Sequence, residues 1–184
     1  MTTHSRQVIL VTGPAKSGKS EWAEYLAGTS KKEIIYIATA QVASHDSEWY
    51  NRIQNHQKRR PKHWQTWEVP LDLVSSLQTT TEHHCLLIDS LGTWIANHLS
   101  ETEENWAEIA RNFQENLQQS PSDVILVAEE TGWGVVPAYP VGRLFRDRLG
   151  KLTRHLGKIA DCVYLVTGGH VLNLSILGHP LPFD

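Results

Sequence analysis

The sequence predicts an α/β domain with a mostly parallel sheet, and three observations lead to that prediction. The length of 184 residues suits one domain of ordinary size and leaves little room for two. Hydrophobic residues make up 40% and charged residues 20%, which is typical of a globular chain that fills a single core. Short apolar runs alternate with amphipathic stretches, as they do where helices join parallel strands. We therefore expect one domain over residues 1–184, with loosely attached ends at residues 1–6 and from about residue 172.

The strands are predicted from apolar runs that are nearly continuous. Such runs are typical of strands that helices cover on both faces of the sheet. The predicted strands are residues 7–12, 33–38, 85–89, 123–128 and 161–166, with a weaker one at 64–69. The helices are predicted from the amphipathic stretches between them, at residues 19–27, 47–60, 91–99, 103–118 and 141–160. Gly28 stands where the first helix would take its C-cap, and Asp46 or Ser47 can cap the second helix.

The chain carries no recognisable targeting or membrane segment. No stretch approaches the roughly 20 apolar residues that a membrane-spanning helix requires. The first residues lack the apolar region of a signal peptide. Cys85 and Cys162 each lie in an apolar run, where buried free thiols are usual, so no disulfide framework is expected. These features favour a cytoplasmic location.

The charge is slightly negative overall but locally positive. The 17 Lys and Arg residues against 20 Asp and Glu residues give a net charge of −3, which argues against a general cationic surface for nucleic acid. Four of the five residues 58–62 are cations. Such a cluster suits a small anionic ligand better than a long polyanion, although a solvated charged helix end explains it equally simply.

The strongest motif follows the first predicted strand. Residues 13–20 fit G-x-x-x-x-G-K-[ST] at every position and open the first predicted helix. In such a P-loop the backbone N–H groups and the helix N-terminus hold phosphate oxygens. Lys19 would reach the β- and γ-phosphates, and the Ser20 hydroxyl would bind Mg²⁺. The nucleotide-binding residues predicted by the motif are Gly13, Pro14, Ala15, Lys16, Ser17, Gly18, Lys19 and Ser20.

A P-loop needs a carboxylate for its metal, usually at the end of another strand. Asp89 ends the predicted strand at 85–89 and is the candidate second Mg²⁺ ligand. Helix capping is the alternative, because a predicted helix follows Asp89 directly. Glu129 and Glu130 occupy a similar position after the strand at 123–128, and the sequence assigns them no role.

A histidine among cations is a candidate nucleophile. At helical spacing, His56 shares one face with Arg52, Arg59 and Arg60. Nearby positive charge favours the neutral imidazole, which is nucleophilic, and can stabilise negative charge on a phosphorus centre under attack. The residues alone leave two interpretations open, a phospho- or nucleotidyl-histidine and an ordinary surface histidine on a basic helix.

Several further segments carry a family resemblance. They are residues 9–20, 36–40, 52–56 with Arg60, Pro61 and Trp64, 66–68, 87–91 with Trp94 and Asn97, 132–137 and 145–147. On these segments the sequence resembles the bifunctional adenosylcobinamide kinase/adenosylcobinamide-phosphate guanylyltransferase (CobU/CobP) family, from residue 8 to about residue 169. The P-loop is shared by many families, whereas R-I-x-x-H followed by R-P and T-x-E is much more specific.

The resemblance implies two reactions of cobalamin biosynthesis. A nucleoside triphosphate, GTP or ATP, phosphorylates the aminopropanol hydroxyl of adenosylcobinamide, and GMP then passes from GTP to that phosphate, releasing pyrophosphate. It implies a RecA-like P-loop fold, a homotrimer, and His56 as the residue that carries GMP. Glu68 becomes a candidate acceptor for guanine N–H groups. The further nucleotide-site positions implied by the resemblance are Ala38, Thr39, Ala40, Gln57, Lys58, Arg59, Arg60, Glu68 and Asp89.

The sequence departs from the family pattern at two places. Glu129 stands where many members have Asn, and Thr153 and Arg154 stand where an Asn-Gln pair is usual. Two alternative functions remain at this point. One is a P-loop small-molecule kinase without a covalent intermediate, which needs only positioning, metal and charge. The other is a RecA-like nucleic-acid binder, which the net charge disfavours.

Overall fold

The computed structural model describes residues 6–40 and 60–182, and its centre is a seven-stranded sheet. The strand order is β3-β2-β4-β5-β1-β6-β7, and every neighbouring pair is parallel except the last, β6 with β7. The mostly parallel sheet is therefore confirmed. The strands are β1 (Val8–Gly13), β2 (Glu33–Ala38), β3 (Gln65–Glu68), β4 (His84–Asp89), β5 (Asp123–Glu129), β6 (Cys162–Thr167) and β7 (His170–Asn173).

Helices lie on both faces of this sheet, as predicted. Those described are α1 (Lys19–Thr29), α2 (Leu73–Thr79), α3 (Leu91–Asn97), α4 (Glu103–Gln119), α5 (Pro140–Ile159) and α6 (Leu174–Leu177). Apart from Arg60, the predicted helix at 47–60 and its capping residues lie outside the described residues. Among the residues that the structure describes, no helix combines the length and the apolar character needed to cross a membrane.

Strand β5 shows why the apolar runs are continuous. Val124 and Leu126 point into a core shared with α2, α3, α4 and α5. Their neighbours Ile125 and Val127 point to the other face, into a second core that includes residues of α1. Because successive strand residues face opposite sides, a strand with two covered faces must be apolar at every position. Each fully buried aliphatic side chain of this kind contributes about 1.5–3 kcal/mol to the hydrophobic stabilisation.

The structure differs from the sequence expectations mainly near the ends of elements. Gly28 is not a C-cap, because α1 continues to Thr29 and the capping residue is Ser30, whose N–H donates to Ala27 O. Helix α3 ends at Asn97 rather than at residue 99. Helix α2, which Asp72 caps by accepting from the Ser75 N–H, is absent from the sequence expectations.

The C-terminal part is more ordered than the sequence suggests. Leu172 and Asn173 belong to β7, which pairs antiparallel with β6, although we expected a loose end from about residue 172. The turn between these strands is Gly168-Gly169, with φ of 58° and 76°. Two glycines with positive φ fit a two-residue hairpin, and this signal was present in the sequence.

Both cysteines are free thiols, as expected. Cys85 is buried in the core, whereas Cys162 is only half-buried and accepts a hydrogen bond from Asn173 Nδ2 at 3.2 Å. Burial raises the pKa of the Cys85 thiol to about 12.

Candidate active site

The P-loop connects the end of β1 to the start of α1 at the carboxyl edge of the sheet. A side chain at Gly13 would place its Cβ 2.3 Å from the Val166 carbonyl oxygen, so only glycine fits there. Gly18 has a φ of 95°, in the left-handed region that favours glycine. The two motif glycines are thus required for different reasons, one for close approach to β6 and one for backbone conformation.

Two side chains of the loop are buried within it. Lys19 is 5% exposed, and its Nζ donates to the Pro14 carbonyl oxygen at 3.4 Å. The Ser17 hydroxyl oxygen is buried and has no hydrogen-bond partner among the described residues. A buried hydroxyl without a partner is costly, and a phosphate oxygen in the loop would supply one. The loop therefore has the geometry of an anion site.

Asp89 lies at the same edge, at the end of β4. The Tyr36 hydroxyl, from the neighbouring strand β2, donates to Asp89 Oδ2 at 2.8 Å. Ser90, and not Asp89, caps α3, since the Ser90 hydroxyl oxygen accepts from the Thr93 N–H. The capping alternative for Asp89 is therefore wrong. Burial and then the neighbouring Asp89 raise the pKa of Tyr36 well above its usual range.

Ser20 and Asp89 suit Mg²⁺ in their chemistry, because a hydroxyl and a carboxylate are hard oxygen ligands. The described ranges, 6–40 and 60–182, contain no group of three or more His, Cys, Asp or Glu side chains placed to hold a metal ion. Mg²⁺ in nucleotide sites is usually bound by one or two protein side chains together with phosphate oxygens and water.

Glu129 has a defined role that the sequence did not reveal. Its Oε1 accepts from the Ser90 hydroxyl at 2.5 Å, and its Oε2 accepts from the Gly92 N–H at 2.9 Å. It thereby satisfies donors in the first turn of α3, where a negative charge is also favoured by the helix dipole. A Cβ at Gly92 would lie 2.0 Å from Glu129 Oε2, so the glycine makes room for the carboxylate.

Glu130, which follows β5, forms hydrogen bonds with two loops. Its N–H donates to the Gly13 carbonyl oxygen at 2.8 Å, and its Oε1 accepts from the Gly132 N–H at 3.0 Å. Glu130 thus contacts both the P-loop and the glycine-containing loop at residues 132–137.

The segment after β2 is held against the start of α3. Thr39 is fully buried, and its hydroxyl donates to the Ser90 carbonyl oxygen at 2.8 Å and accepts from the Ser90 N–H at 2.9 Å. Asn97 Nδ2 donates to the Thr39 carbonyl oxygen at 2.9 Å. Ala38 ends β2, and Ala40 follows Thr39 directly. The Thr39 hydroxyl and carbonyl oxygen are therefore both occupied, by Ser90 and by Asn97.

Glu68 lies at the opposite end of the same edge. It is exposed, ends β3 and stands opposite Ala38 in the strand register. Strands β3 and β1 are four positions apart in the sheet, or about 19 Å at the usual strand spacing of about 4.8 Å. Glu68 and the P-loop are thus brought to one edge but not into contact.

Arg60 is the described member of the basic cluster that reaches this site. Its guanidinium carbon lies 3.4 Å from the centroid of the Tyr36 ring. Its Nε is buried with no hydrogen-bond partner in the part of the chain that the structure describes. Three other predicted nucleotide-binding residues, Gln57, Lys58 and Arg59, and the predicted nucleophile His56 lie outside the described residues.

A cleft of about 640 Å³ opens beside this edge, between α5 and the strands β1 and β6. Thr12, Glu130 and Arg146 contribute to its lining. So do Thr153 and Arg154, the pair that departs from the family pattern. The lining reaches Thr12, one residue before the P-loop, and no motif in the sequence indicated this cleft.

The chain matches one family model over most of its length. Residues 9–174 match the family described as cobinamide kinase / cobinamide phosphate guanyltransferase. The bifunctional adenosylcobalamin biosynthesis protein CobP of Pseudomonas aeruginosa is 38% identical over 174 residues, covering 94% of this chain and 98% of that protein. The bifunctional adenosylcobalamin biosynthesis protein CobU of Salmonella typhimurium is 35% identical over 178 residues, covering 88% and 96%.

Solved structures with little sequence identity share the fold. A Pyrococcus horikoshii protein superimposes with a TM-score of 0.56 at 10% identity, covering 91% of this chain and 85% of its own. An ATPase from the type III secretion system of pathogenic bacteria gives a TM-score of 0.55 at 11% identity, covering 97% of this chain and 55% of its own. The predicted fold is therefore confirmed.

Proposed function

Because the chain belongs to the cobinamide kinase / cobinamide phosphate guanyltransferase family, we propose that it catalyses two successive transfers in cobalamin biosynthesis. In the first, a nucleoside triphosphate phosphorylates the aminopropanol hydroxyl of adenosylcobinamide. In the second, GMP passes from GTP to the new phosphate, giving adenosylcobinamide-GDP and pyrophosphate. The observation that carries the proposal is a P-loop with its lysine folded inward and a carboxylate, Asp89, at the same edge of the sheet.

The first transfer needs positioning and charge more than covalent chemistry. The P-loop N–H groups would hold the phosphates, and Lys19 would leave the Pro14 carbonyl oxygen to bind a phosphate oxygen. Ser20 and Asp89 would hold Mg²⁺, which neutralises charge on the phosphates when it is bound. The adjoining cleft, lined by Glu130 and Arg146, would admit the acceptor hydroxyl.

The second transfer would use His56 as a nucleophile. An imidazole nitrogen forms a bond to the α-phosphorus of GTP, and the bond to pyrophosphate breaks. A phosphate oxygen of the acceptor then attacks the same phosphorus, which breaks the P–N bond and regenerates the imidazole. Lys58, Arg59 and Arg60 would supply positive charge for the phosphates, and the neutral amide of Gln57 would donate a hydrogen bond to them. Glu68 would accept hydrogen bonds from guanine and so distinguish GTP from ATP.

We further propose that the protein acts as a homotrimer in the cytoplasm on small molecules and not on nucleic acid. Among the described residues, large apolar side chains are exposed at several places, which include the loop after β5 and helix α6. Trp133 and Tyr139 are 63% and 77% exposed in the loop after β5, and Ile176 is 78% exposed in α6. Exposed apolar surface of this kind supports self-association. Sedimentation equilibrium would give three times the mass of the chain.

Mass spectrometry after mixing the protein with GTP and Mg²⁺ tests the proposal. We expect a gain of one GMP, mapped to His56 and lost in His56→Ala. His63→Ala, which removes an exposed histidine from the same region, is the matched control and should be labelled normally. Equal labelling of His56→Ala would contradict the covalent step. An active kinase that never gains GMP would instead support a P-loop kinase without a covalent intermediate.

A further inference from the structure

Tyr36 is a polar residue in the middle of an otherwise apolar buried strand. It is 2% exposed, and its ring packs in the core between β2 and α1. Burial of a phenol hydroxyl without a partner is costly, and here the partner is Asp89 Oδ2 at 2.8 Å. A carboxylate that accepts such a bond is restricted in its orientation. The hydroxyl therefore fixes the side chain that the proposed function assigns to Mg²⁺.

The ring of Tyr36 makes a second contact through its face. The Arg60 guanidinium lies over it at 3.4 Å, a favourable stacking position for a cation on an aromatic ring. Arg60 is the last residue of the segment 57–60, to which the proposed function assigns the phosphates of the guanylyl step. Tyr36 thus contacts both Asp89, which the proposed function assigns to the first transfer, and Arg60, which it assigns to the second.

We propose that Tyr36 is a positioning residue with two separable contacts: its hydroxyl orients Asp89 toward the metal of the P-loop nucleotide, and its ring holds Arg60 for guanylyl transfer. The inference rests on the proposed function. Partners that hydrogen-bond a metal ligand usually change metal affinity or activity 10- to 100-fold when they are removed. Two variants distinguish the two contacts. Tyr36→Phe removes only the hydroxyl, and Tyr36→Leu removes the ring as well.

The first test measures metal binding without turnover. Mn²⁺ is titrated into the protein with a non-hydrolysable GTP analogue, and free Mn²⁺ is followed by electron paramagnetic resonance. We expect Tyr36→Phe to weaken Mn²⁺ binding about 10-fold, with binding of the analogue in the absence of metal changed less than twofold. Tyr25→Phe is the matched control, since Tyr25 is exposed on α1 and stacks on Trp22. It should bind Mn²⁺ like the wild type.

Asp89→Asn separates a failure of this inference from a failure of the proposed function. If Asp89→Asn loses Mn²⁺ affinity but Tyr36→Phe keeps it within twofold, the inference is overturned and the metal role of Asp89 stands. If Asp89→Asn also binds Mn²⁺ normally, both the inference about Tyr36 and the proposed metal role of Asp89 are overturned.

The second test measures formation of the GMP adduct at saturating Mn²⁺. Loss of the stacked ring should make Tyr36→Leu about 30-fold slower than Tyr36→Phe, in line with a cation–π contact at a desolvated site. Equal rates in the two variants would overturn the role of the ring. If Tyr36→Leu does not fold, Arg60→Lys replaces it. Lysine has no planar group to stack on the ring, so an adduct rate equal to that of the wild type would overturn the role.

Discussion

Replacement of Glu129 by alanine should destabilise the protein substantially, although no motif marks this residue. Its carboxylate accepts from the Ser90 hydroxyl and from the Gly92 N–H. Both donors belong to buried residues. In Glu129→Ala the Gly92 N–H would lose this partner, and the Ser90 hydroxyl would keep only its contact with Thr93 Oγ1 at 3.1 Å. The first turn of α3 would then be held less firmly against the end of β5.

The size of the effect follows from these two bonds. A hydrogen bond to a charged group contributes about 1.5–3 kcal/mol. Two such bonds, discounted because Glu129 is partly exposed to solvent, give a loss of about 3 kcal/mol in the free energy of unfolding. In a chain of this size, that loss corresponds to a fall in Tm of about 6–12 °C. Glu129→Gln keeps one acceptor oxygen and should lose about half as much free energy.

Equilibrium unfolding in urea, followed by circular dichroism, measures the effect. Glu115→Ala is the matched control, because Glu115 is exposed on α4 and its replacement should change the free energy by less than about 0.5 kcal/mol. If Glu129→Ala also stays within about 0.5 kcal/mol of the wild type, the carboxylate does not stabilise α3 and the reasoning fails.

Three further predictions concern the P-loop and the core. Lys19→Ala should lower kcat/KM for phosphorylation by about 100-fold or more, measured with purified adenosylcobinamide, because a preorganised cation is lost. Gly13→Ala should abolish nucleotide binding in calorimetry, since its Cβ would meet Val166 O at 2.3 Å. Gly28→Ala should not, since its nearest neighbour would be Trp64 at 3.9 Å. Cys85, whose pKa is raised to about 12, stays protonated at pH 8, so Ellman's reagent should label it only after denaturation.

The parts of the site that the sequence predicted are those encoded within short segments. The P-loop is contiguous, and its flanking strand and helix have strong patterns, so residues 13–20 could be placed before the structure was known. Asp89 was placed by the strand that precedes it. Its alternative role as a helix cap could not be resolved, because Asp89 and Ser90 are both good capping residues and only the geometry shows that Ser90 is the one used.

The contacts that the sequence did not predict depend on the order of strands. Chain order runs β2, β3, β4, whereas the sheet places β4 beside β2 and moves β3 to the edge. Tyr36 therefore meets Asp89 across an interface that no local pattern indicates. The same holds for Glu129, whose partners Ser90 and Gly92 follow the neighbouring strand β4. By contrast, the Gly168-Gly169 pair is a local hairpin signal. The expectation of a loose C-terminal end did not take it into account.

The position of β5 explains how the P-loop and Asp89 are held at a fixed distance from each other. It lies between β1, which leads into the P-loop, and β4, which ends in Asp89. Its last residue, Glu129, and the following residue, Glu130, make hydrogen bonds on opposite sides. The Glu130 N–H donates to the Gly13 carbonyl oxygen on the β1 side, and the Glu129 carboxylate accepts from Ser90 and Gly92, which follow β4. A carboxylate has two acceptor oxygens for Ser90 and Gly92, whereas the Asn of many relatives has one. Under the proposed function, Asp89 binds a metal on the phosphates that Gly13 and its neighbours surround, so a change at Glu129 should alter metal binding as well as stability.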